Sequence, residues 1–338
     1  MSATAGYLLD ARGEHRELGA FVVACAWCGD IPAFALGDGT VRLAGSGPAR
    51  EAYWRSVPAH DGAVLALAAT PDGFVTGGDD GGFRRIACDG EVGELASFGM
   101  KWVEQVAAHG SVAACVVGRN VHVFERGAKL KVLEHPSTVT GLAFDAKGKR
   151  IAASHYNGAS LWFVAAKVDS PRRLEWEGSH TGVALHPAGD ALVTSMQENS
   201  LHGWRLADGQ HMRMSGYPTK TESMSFTRNG RWLASSGADT VVLWPFHGGG
   251  PMGKAPTELA GGDNVVCTRV AAHPQHEMVA AGFTDGLVLL ADVATARIVP
   301  VAAPGHGAVS ALAWSADGHR LAFGTEAGFA ALVDLSKR

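Results

Sequence analysis

The chain has 338 residues, of which 46% are hydrophobic and 18% are charged, so it can build a large core and is not a disordered chain. Its 44 glycines are about twice the usual share of roughly 7%, which is typical of a chain that turns often. The 29 basic and 33 acidic residues give a net charge of −4, and this balance argues against nucleic acid or an anionic membrane as a partner.

The N-terminal segment has no basic start and no apolar stretch that would make a signal peptide. No run approaches the roughly 20 apolar residues of a membrane span. The five cysteines are odd in number and irregularly spaced, which argues against a disulfide framework and favours a reducing compartment. The sequence therefore predicts a soluble, cytoplasmic protein.

A pattern of about 42 residues recurs along the chain. Each copy has three apolar runs with period two, separated by polar turns, as in residues 63–86, 139–163 and 309–334. The first turn of each copy falls at Asp30, Gly73, Gly110, Gly148, Gly189, Gly230, His276 and Gly318. The mean step is about 41 residues, which lies in the range of four-stranded propeller blades.

The repeat predicts an all-β fold, a single eight-bladed β-propeller of four-stranded antiparallel blades. The closing strand is expected within Arg12–Leu18, where it would pair with the C-terminal blade and remove an open sheet edge. Seven blades with one irregular insertion is the alternative. The single domain would span residues 1–338, with approximate blades at 19–58, 59–99, 100–134, 135–178, 179–217, 218–261, 262–304 and 305–338 plus 1–18.

These units resemble the WD-repeat family over nearly the whole chain. A Gly-His motif before the first strand is kept at Gly305-His306 and loosely at Ala59-His60, Glu134-His135 and Ser179-His180. The closing Trp-Asp pair keeps its tryptophan at Trp162, Trp204 and Trp244. The turn aspartate is found at Asp38, Asp79 or Asp80, Asp239 and Asp285. Residues 155–220 further resemble a bacterial, alphaproteobacterial-type subgroup.

The resemblance implies a non-enzymatic scaffold for protein interaction. The catalytic and cofactor motifs in the chain are weak. Cys25-Ala-Trp-Cys28 has no second cysteine pair at zinc spacing, and Gly248–Lys254 is followed by Ala255 and Pro256 rather than by a hydroxyl and a helix. A propeller hydrolase or lyase is a third hypothesis, which requires at least two titratable groups that converge in a cleft.

The partner is expected to be a peptide or protein. In a propeller, the loop before each innermost strand and the turn between the second and third strands lie on one face, which we call the top face. Trp102 and Tyr217 are predicted at loop–strand junctions there, and tryptophan and tyrosine dominate interface hot spots. The predicted partner-binding residues are Trp102, His155, Tyr156, Asn157, Glu198, Tyr217 and Lys220.

A metal or small ligand in the central channel is the alternative function. The main prediction involves no cofactor, whereas the alternative places zinc on His155, His180 and Glu198, because zinc binds imidazole nitrogens and carboxylate oxygens. In the WD-repeat family, however, histidines before the innermost strand usually form hydrogen bonds within their own blade. The same residues can therefore be structural.

Overall fold

The computed structural model describes residues 6–46, 52–262 and 264–336. One short helix, α1 (Leu8–Arg12), precedes the first strand. The strands of the described ranges form seven antiparallel sheets, six with four strands and one with six. Small and β-branched side chains alternate along the strands and suit a pleated surface that is buried on both faces. In these ranges no helix has the length and apolar character needed to cross a membrane.

The first three sheets follow one another along the chain. The first contains β2 (Val22–Cys28), β3 (Ile31–Leu36), β4 (Thr40–Ser46) and β5 (Ala52–Pro58). The second contains β6 (Val64–Thr70), β7 (Gly73–Gly78), β8 (Gly82–Ala87) and β9 (Val92–Ser97). The third contains β10 (Gln105–His109), β11 (Val112–Val117), β12 (Asn120–Glu125) and β13 (Ala128–Glu134).

The six-stranded sheet comes next. It contains β14 (Val139–Phe144), β15 (Arg150–Phe163), β16 (Arg172–Leu185), β17 (Ala191–Met196), β18 (Ser200–Arg205) and β19 (His211–Met214). Strands β15 and β16 have 14 residues each, and each contains a bend at a glycine with positive φ. His155 Nε2 is 2.9 Å from Ser160 Oγ, whereas five extended residues would separate the two backbones by about 16 Å. Gly158 and Gly178 have φ angles of 139° and 123° at the two bends.

The number of sheets matches the seven-blade alternative rather than eight separate blades. The residues predicted as the fourth and fifth blades, 135–178 and 179–217, share the six-stranded sheet. The prediction of eight separate four-stranded sheets is therefore not met. The physical reason is that β16 is one continuous strand that pairs with β15 along its first part and with β17 along its second part, so no break in pairing separates the two predicted blades.

Three sheets complete the chain. The first of them contains β20 (Met224–Phe226), β21 (Trp232–Ser235), β22 (Thr240–Pro245) and β23 (Thr257–Gly261). The next contains β24 (Cys267–Ala272), β25 (Met278–Phe283), β26 (Val288–Asp292) and β27 (Ile298–Ala302). The last contains β28 (Val309–Trp314), β29 (Arg320–Thr325), β30 (Phe329–Asp334) and β1 (Gly13–Glu17).

The N-terminal strand closes the last sheet, as predicted. Strand β1 pairs antiparallel with β30, from Gly13 opposite Val333 to Glu17 opposite Phe329. The Ser310 hydroxyl donates a hydrogen bond of 2.6 Å to the carbonyl of Val22, which joins the last sheet to the first. The two ends of the ring are therefore held together by hydrogen bonds, and β30 has no open edge.

The core consists of apolar layers between neighbouring sheets. Val22, in the first sheet, is fully buried in one cluster with Ala322 and Ala330 of the last sheet. Gly324 permits this contact, because a Cβ atom there would lie 2.4 Å from Val22 Cγ1. A Cβ atom at Gly282 would likewise lie 2.4 Å from Val309 Cγ1. Glycine is thus needed where one sheet meets the first strand of the next.

Candidate partner-binding site

The first top-face cleft surrounds Trp102, which precedes β10. The Trp102 side chain is 57% exposed and neighbouring Met100 is 96% exposed. We call this space of about 630 Å³ the Trp102 cleft. It is lined by Met100, Lys101, Trp102, Glu104, Val117, Gly118, Arg119, Asn120 and Thr138. The exposed aromatic ring agrees with the prediction that Trp102 is accessible to a partner.

The second top-face cleft surrounds Tyr156, at the bend of β15. The Tyr156 side chain is 59% exposed, and Trp176 in β16 is 36% exposed. We call this space of about 700 Å³ the Tyr156 cleft. It is lined by Pro136, Ser137, His155, Tyr156, Asn157, Ala159, Arg173, Leu174, Glu175, Trp176 and Glu177. Trp176 was not predicted as a site residue.

The two clefts adjoin at one loop. Ser137 lines the Tyr156 cleft, and the next residue, Thr138, lines the Trp102 cleft. The backbone N–H of Tyr156 donates a 2.9 Å hydrogen bond to Ser137 Oγ, which fixes this loop against the bend of β15. We call the combined surface the aromatic groove. Its charged lining residues have both signs, namely Lys101, Glu104, Arg119, Arg173, Glu175 and Glu177.

Both ring nitrogens of His155 form hydrogen bonds within the bend of β15, so the ring stabilises the bend and offers no nitrogen to a partner in the groove. Its side chain is buried, with Nδ1 2.9 Å from the carbonyl of Tyr156 and Nε2 2.9 Å from Ser160 Oγ. Burial lowers the pKa of His155, so the ring is neutral: Nε2 accepts a hydrogen bond from the Ser160 hydroxyl, and Nδ1–H donates one to the carbonyl of Tyr156. Its contribution to the groove is to position Tyr156.

Two predicted residues, Asn157 and Glu198, link neighbouring turns and loops of the top face. The N–H of Gly178 donates to Asn157 Oδ1 at 3.1 Å, and the N–H of Ser179 donates to Glu198 Oε1 at 3.2 Å. Asn157 therefore supports the Tyr156 cleft directly. Glu198, at the turn after β17, and Lys220, in the loop before β20, do not line either cleft. Their predicted contact with a partner stays a prediction.

Tyr217 is buried, which contradicts its predicted role as an exposed anchor. It is 8% exposed, its hydroxyl is 2.5 Å from Ser235 Oγ, and Trp244 Nε1 donates to that hydroxyl at 2.6 Å. Burial raises the pKa of Tyr217 to about 12. The same arrangement is found in the pair His135 and Trp162, which are also 27 residues apart: Trp162 Nε1 donates to His135 Nε2 at 3.0 Å. Tyr217 therefore takes the position relative to Trp244 that His135 takes relative to Trp162. Tyr217 is thus part of the core.

The zinc alternative finds no support in the geometry. His180 is fully buried, with Nδ1 2.7 Å from Thr194 Oγ1 and Nε2 2.9 Å from the carbonyl of Trp176. Both ring nitrogens of His155 have partners as well. Across the part of the chain that the structure describes, no three His, Cys, Asp or Glu side chains are grouped so that they could hold a metal ion.

His60 belongs to a hydrogen-bond network within the second sheet. Its Nδ1 is 2.8 Å from Asp80 Oδ1 and its Nε2 is 2.9 Å from Thr76 Oγ1. Burial opposes ionisation of Asp80, but hydrogen bonds from His60 and from the N–H of Gly82 and Asp61 outweigh it and lower the pKa of Asp80 to about 2. The structure thereby selects Asp80, rather than Asp79, as the turn aspartate, and gives His60 a structural role.

Comparison with known proteins gives two partial sequence matches. A family profile described as the anaphase-promoting complex subunit 4 WD40 domain matches residues 270–338. The WD repeat-containing protein slp1 of Schizosaccharomyces pombe is 30% identical over 107 residues. That match covers 30% of this chain, and the chain spans only 22% of the length of that relative.

The fold comparison covers far more of the chain. The crystal structure of the computationally designed Ika8 protein superposes with a TM-score of 0.76, covering 94% of this chain and 96% of Ika8, at 19% sequence identity. This likeness concerns the fold alone. The bacterial subgroup stays a prediction. The sheet arrangement is that of an all-β propeller, and two stretches of the chain are similar in sequence to WD-repeat proteins.

Proposed function

We propose that the protein is a non-enzymatic cytoplasmic scaffold that binds a peptide segment of a protein partner in the aromatic groove. WD40 propellers are generally non-enzymatic and typically bind proteins or peptides, which supports the general class. Nucleic acid and membrane are not expected as partners, because the net charge of −4 provides no basic surface.

The observation that carries the proposal is the pairing of two adjoining clefts with exposed aromatic side chains. Trp102 and Tyr156 are more than half exposed, and Trp176 joins them at 36%. Rigid aromatic rings bury a large area at little cost in conformational entropy, so they are the common anchors of interfaces. The charges around them have both signs, which favours a partner segment with apolar anchors flanked by acidic and basic residues.

The test compares two variants of the full chain in affinity capture from the native lysate. The first is the double variant Trp102→Ala/Tyr156→Ala. The matched control is Phe163→Ala, since Phe163 is 62% exposed and lines a separate cleft with Lys149 and Lys167. After the captured protein is identified, its binding peptide is titrated against each purified variant. The double variant should bind at least about tenfold more weakly than the wild type, and the control should bind normally.

Either of two results would contradict the proposal. Equal affinity of the wild type and the double variant would show that the partner binds elsewhere. A loss of affinity with Phe163→Ala alone would move the binding site to the separate cleft that Phe163 lines. Circular dichroism of each variant confirms that the fold is retained, because both groove substitutions remove exposed side chains and leave the backbone hydrogen bond to Ser137 intact.

A further inference from the structure

Two cysteines from neighbouring sheets are in direct contact. Cys88 Sγ lies 3.1 Å from Cys28 Sγ. Cys28 is the last residue of β2, and Cys88 lies in the turn between β8 and β9. The other cysteines of the described ranges make no sulfur–sulfur contact and are Cys25, Cys115 and Cys267. The pair therefore lies where the first sheet meets the second.

Only a small movement of the two sulfur atoms is needed for a covalent bond. A disulfide bond is about 2.0 Å long, so the two sulfur atoms need to approach by about 1 Å. Both residues stand next to turns rather than in the middle of a strand. Gly29, with a φ angle of 55°, follows Cys28, and the turn at Cys88 is closed by a 2.8 Å hydrogen bond from Gly90 N–H to the carbonyl of Ala87. Cys28 is the last paired residue of β2 and Cys88 lies outside the strands, so both can adjust more easily than residues in the middle of a strand.

We propose that Cys28 and Cys88 form a reversible disulfide bond when the protein meets a peroxide. In the first step, the Cys88 sulfur attacks hydrogen peroxide, the O–O bond breaks, and a sulfenic acid and one water are formed. In the second step, the Cys28 sulfur attacks the Cys88 sulfur and a second water leaves. The two thiols lose two protons and two electrons, and the peroxide takes up both to become two waters.

The order of the two steps follows from the surroundings of the two sulfurs. Cys88 is half-buried, so a small oxidant can reach it, whereas Cys28 is 7% exposed and its thiol donates to the carbonyl of Pro71 at 3.7 Å. Burial, followed by the Cys88 thiol and the Asp72 carboxylate, raises the pKa of Cys28 to about 12. Because the thiolate is the attacking form, the bond should form slowly at neutral pH and faster as the pH rises.

The experiment treats the full chain with hydrogen peroxide, blocks free thiols with N-ethylmaleimide and analyses tryptic peptides by mass spectrometry. Peptides 17–42 and 86–101 contain the two cysteines, and they should be recovered as one linked species lighter by about 2 Da than their sum. Dithiothreitol should separate them. The oxidised protein should also melt at a higher temperature than the reduced protein, because a cross-link restricts the unfolded chain.

Peptide 17–42 also contains Cys25, which makes Cys25→Ala the matched control. This variant should still give the linked peptides, and Cys88→Ala should give neither the link nor the rise in melting temperature. The proposal is overturned if Cys88 is oxidised to sulfinic acid without any link. It is also overturned if the link disappears in Cys25→Ala, since the partner would then be Cys25. Circular dichroism establishes that each variant is folded.

Discussion

Asp80 shows how one carboxylate fixes a turn of the ring. It accepts hydrogen bonds from His60 and from two backbone N–H groups, and it is 3.0 Å from Arg84. Of these groups, His60 and Gly82 are buried and Arg84 is half-buried. Removing the acceptor therefore leaves buried donors without a partner, which is more costly than the loss of an exposed hydrogen bond.

We expect Asp80→Ala to lower the free energy of unfolding by about 2 kcal/mol, because it leaves the buried Nδ1 of His60 unpaired. Asp79→Ala is the control, since Asp79 is its neighbour and is not part of the His60 network. Urea unfolding monitored by tryptophan fluorescence measures both. Equal losses for the two variants would mean that the network does not stabilise the second sheet.

The burial of Tyr217 could have been predicted from the sequence, whereas the exposure of Trp176 could not. The spacing of 27 residues between Tyr217 and Trp244 repeats that between His135 and Trp162, so it indicates a core tyrosine, and the prediction of an exposed anchor missed this signal. Trp176 carried no comparable signal. Its exposure depends on the bend near Gly178, which the repeat does not specify.

At the scale of elements, β1 supplies the outermost strand of the last sheet. The N–H of Leu18 donates to the carbonyl of Gly328 at 2.8 Å. Because alternate residues of a strand point the same way, the N–H of Arg16 also faces β30. The pairing of Arg16 with Ala330 agrees with this arrangement.

Arg16→Pro should therefore lower the free energy of unfolding by about 1–3 kcal/mol, since proline removes a hydrogen bond of the strand pair. Arg16→Thr removes the same exposed side chain, keeps the N–H and should stay close to the wild type. Thermal unfolding compares them, and light scattering detects self-association through the freed edge of β30. If the two variants have the same melting temperature, the hydrogen bond of Arg16 contributes no stability to the pairing of β1 with β30.

The strand pattern itself could be predicted because alternating apolar residues and turn glycines have a clear period. The location of the closing strand within Arg12–Leu18 was confirmed as well. The division between the fourth and fifth blades could not be predicted. Gly158 and Gly178 indicate bends, but whether pairing stops or continues through a bend depends on the neighbouring strands.

At the scale of the whole molecule, neutral imidazoles are buried around the ring. Burial lowers the pKa of His135 to about 4 and that of His202 to about 3, and it also lowers the pKa of His60 and His180. Unfolded histidine has a pKa near 6.5, so below that pH the unfolded chain binds more protons than the folded chain. Stability is therefore complete above about pH 6.5 and falls as the pH decreases towards 4.

At pH 5, His135 and His202 should each reduce stability by about 2 kcal/mol relative to neutral pH. Urea unfolding at pH 7.5 and pH 5 measures the difference. His135→Gln should make stability less dependent on pH, because one titrating group is removed. Asp80, with its pKa near 2, contributes to acid unfolding only below about pH 4, so the two effects occupy separate pH ranges. Equal stability at both pH values would contradict the prediction.

The pairing of β1 with β30 also determines the order of events during synthesis. Gly13 and its partner Val333 lie at opposite ends of the described chain, so β1 leaves the ribosome early and its partner leaves late. Every intermediate length of nascent chain thus carries a ring that is still open. Closure has to wait for translation of the last sheet, and among the strand pairs of the described residues the pairing of β1 with β30 spans the largest sequence separation, so it has the highest entropic cost of loop closure.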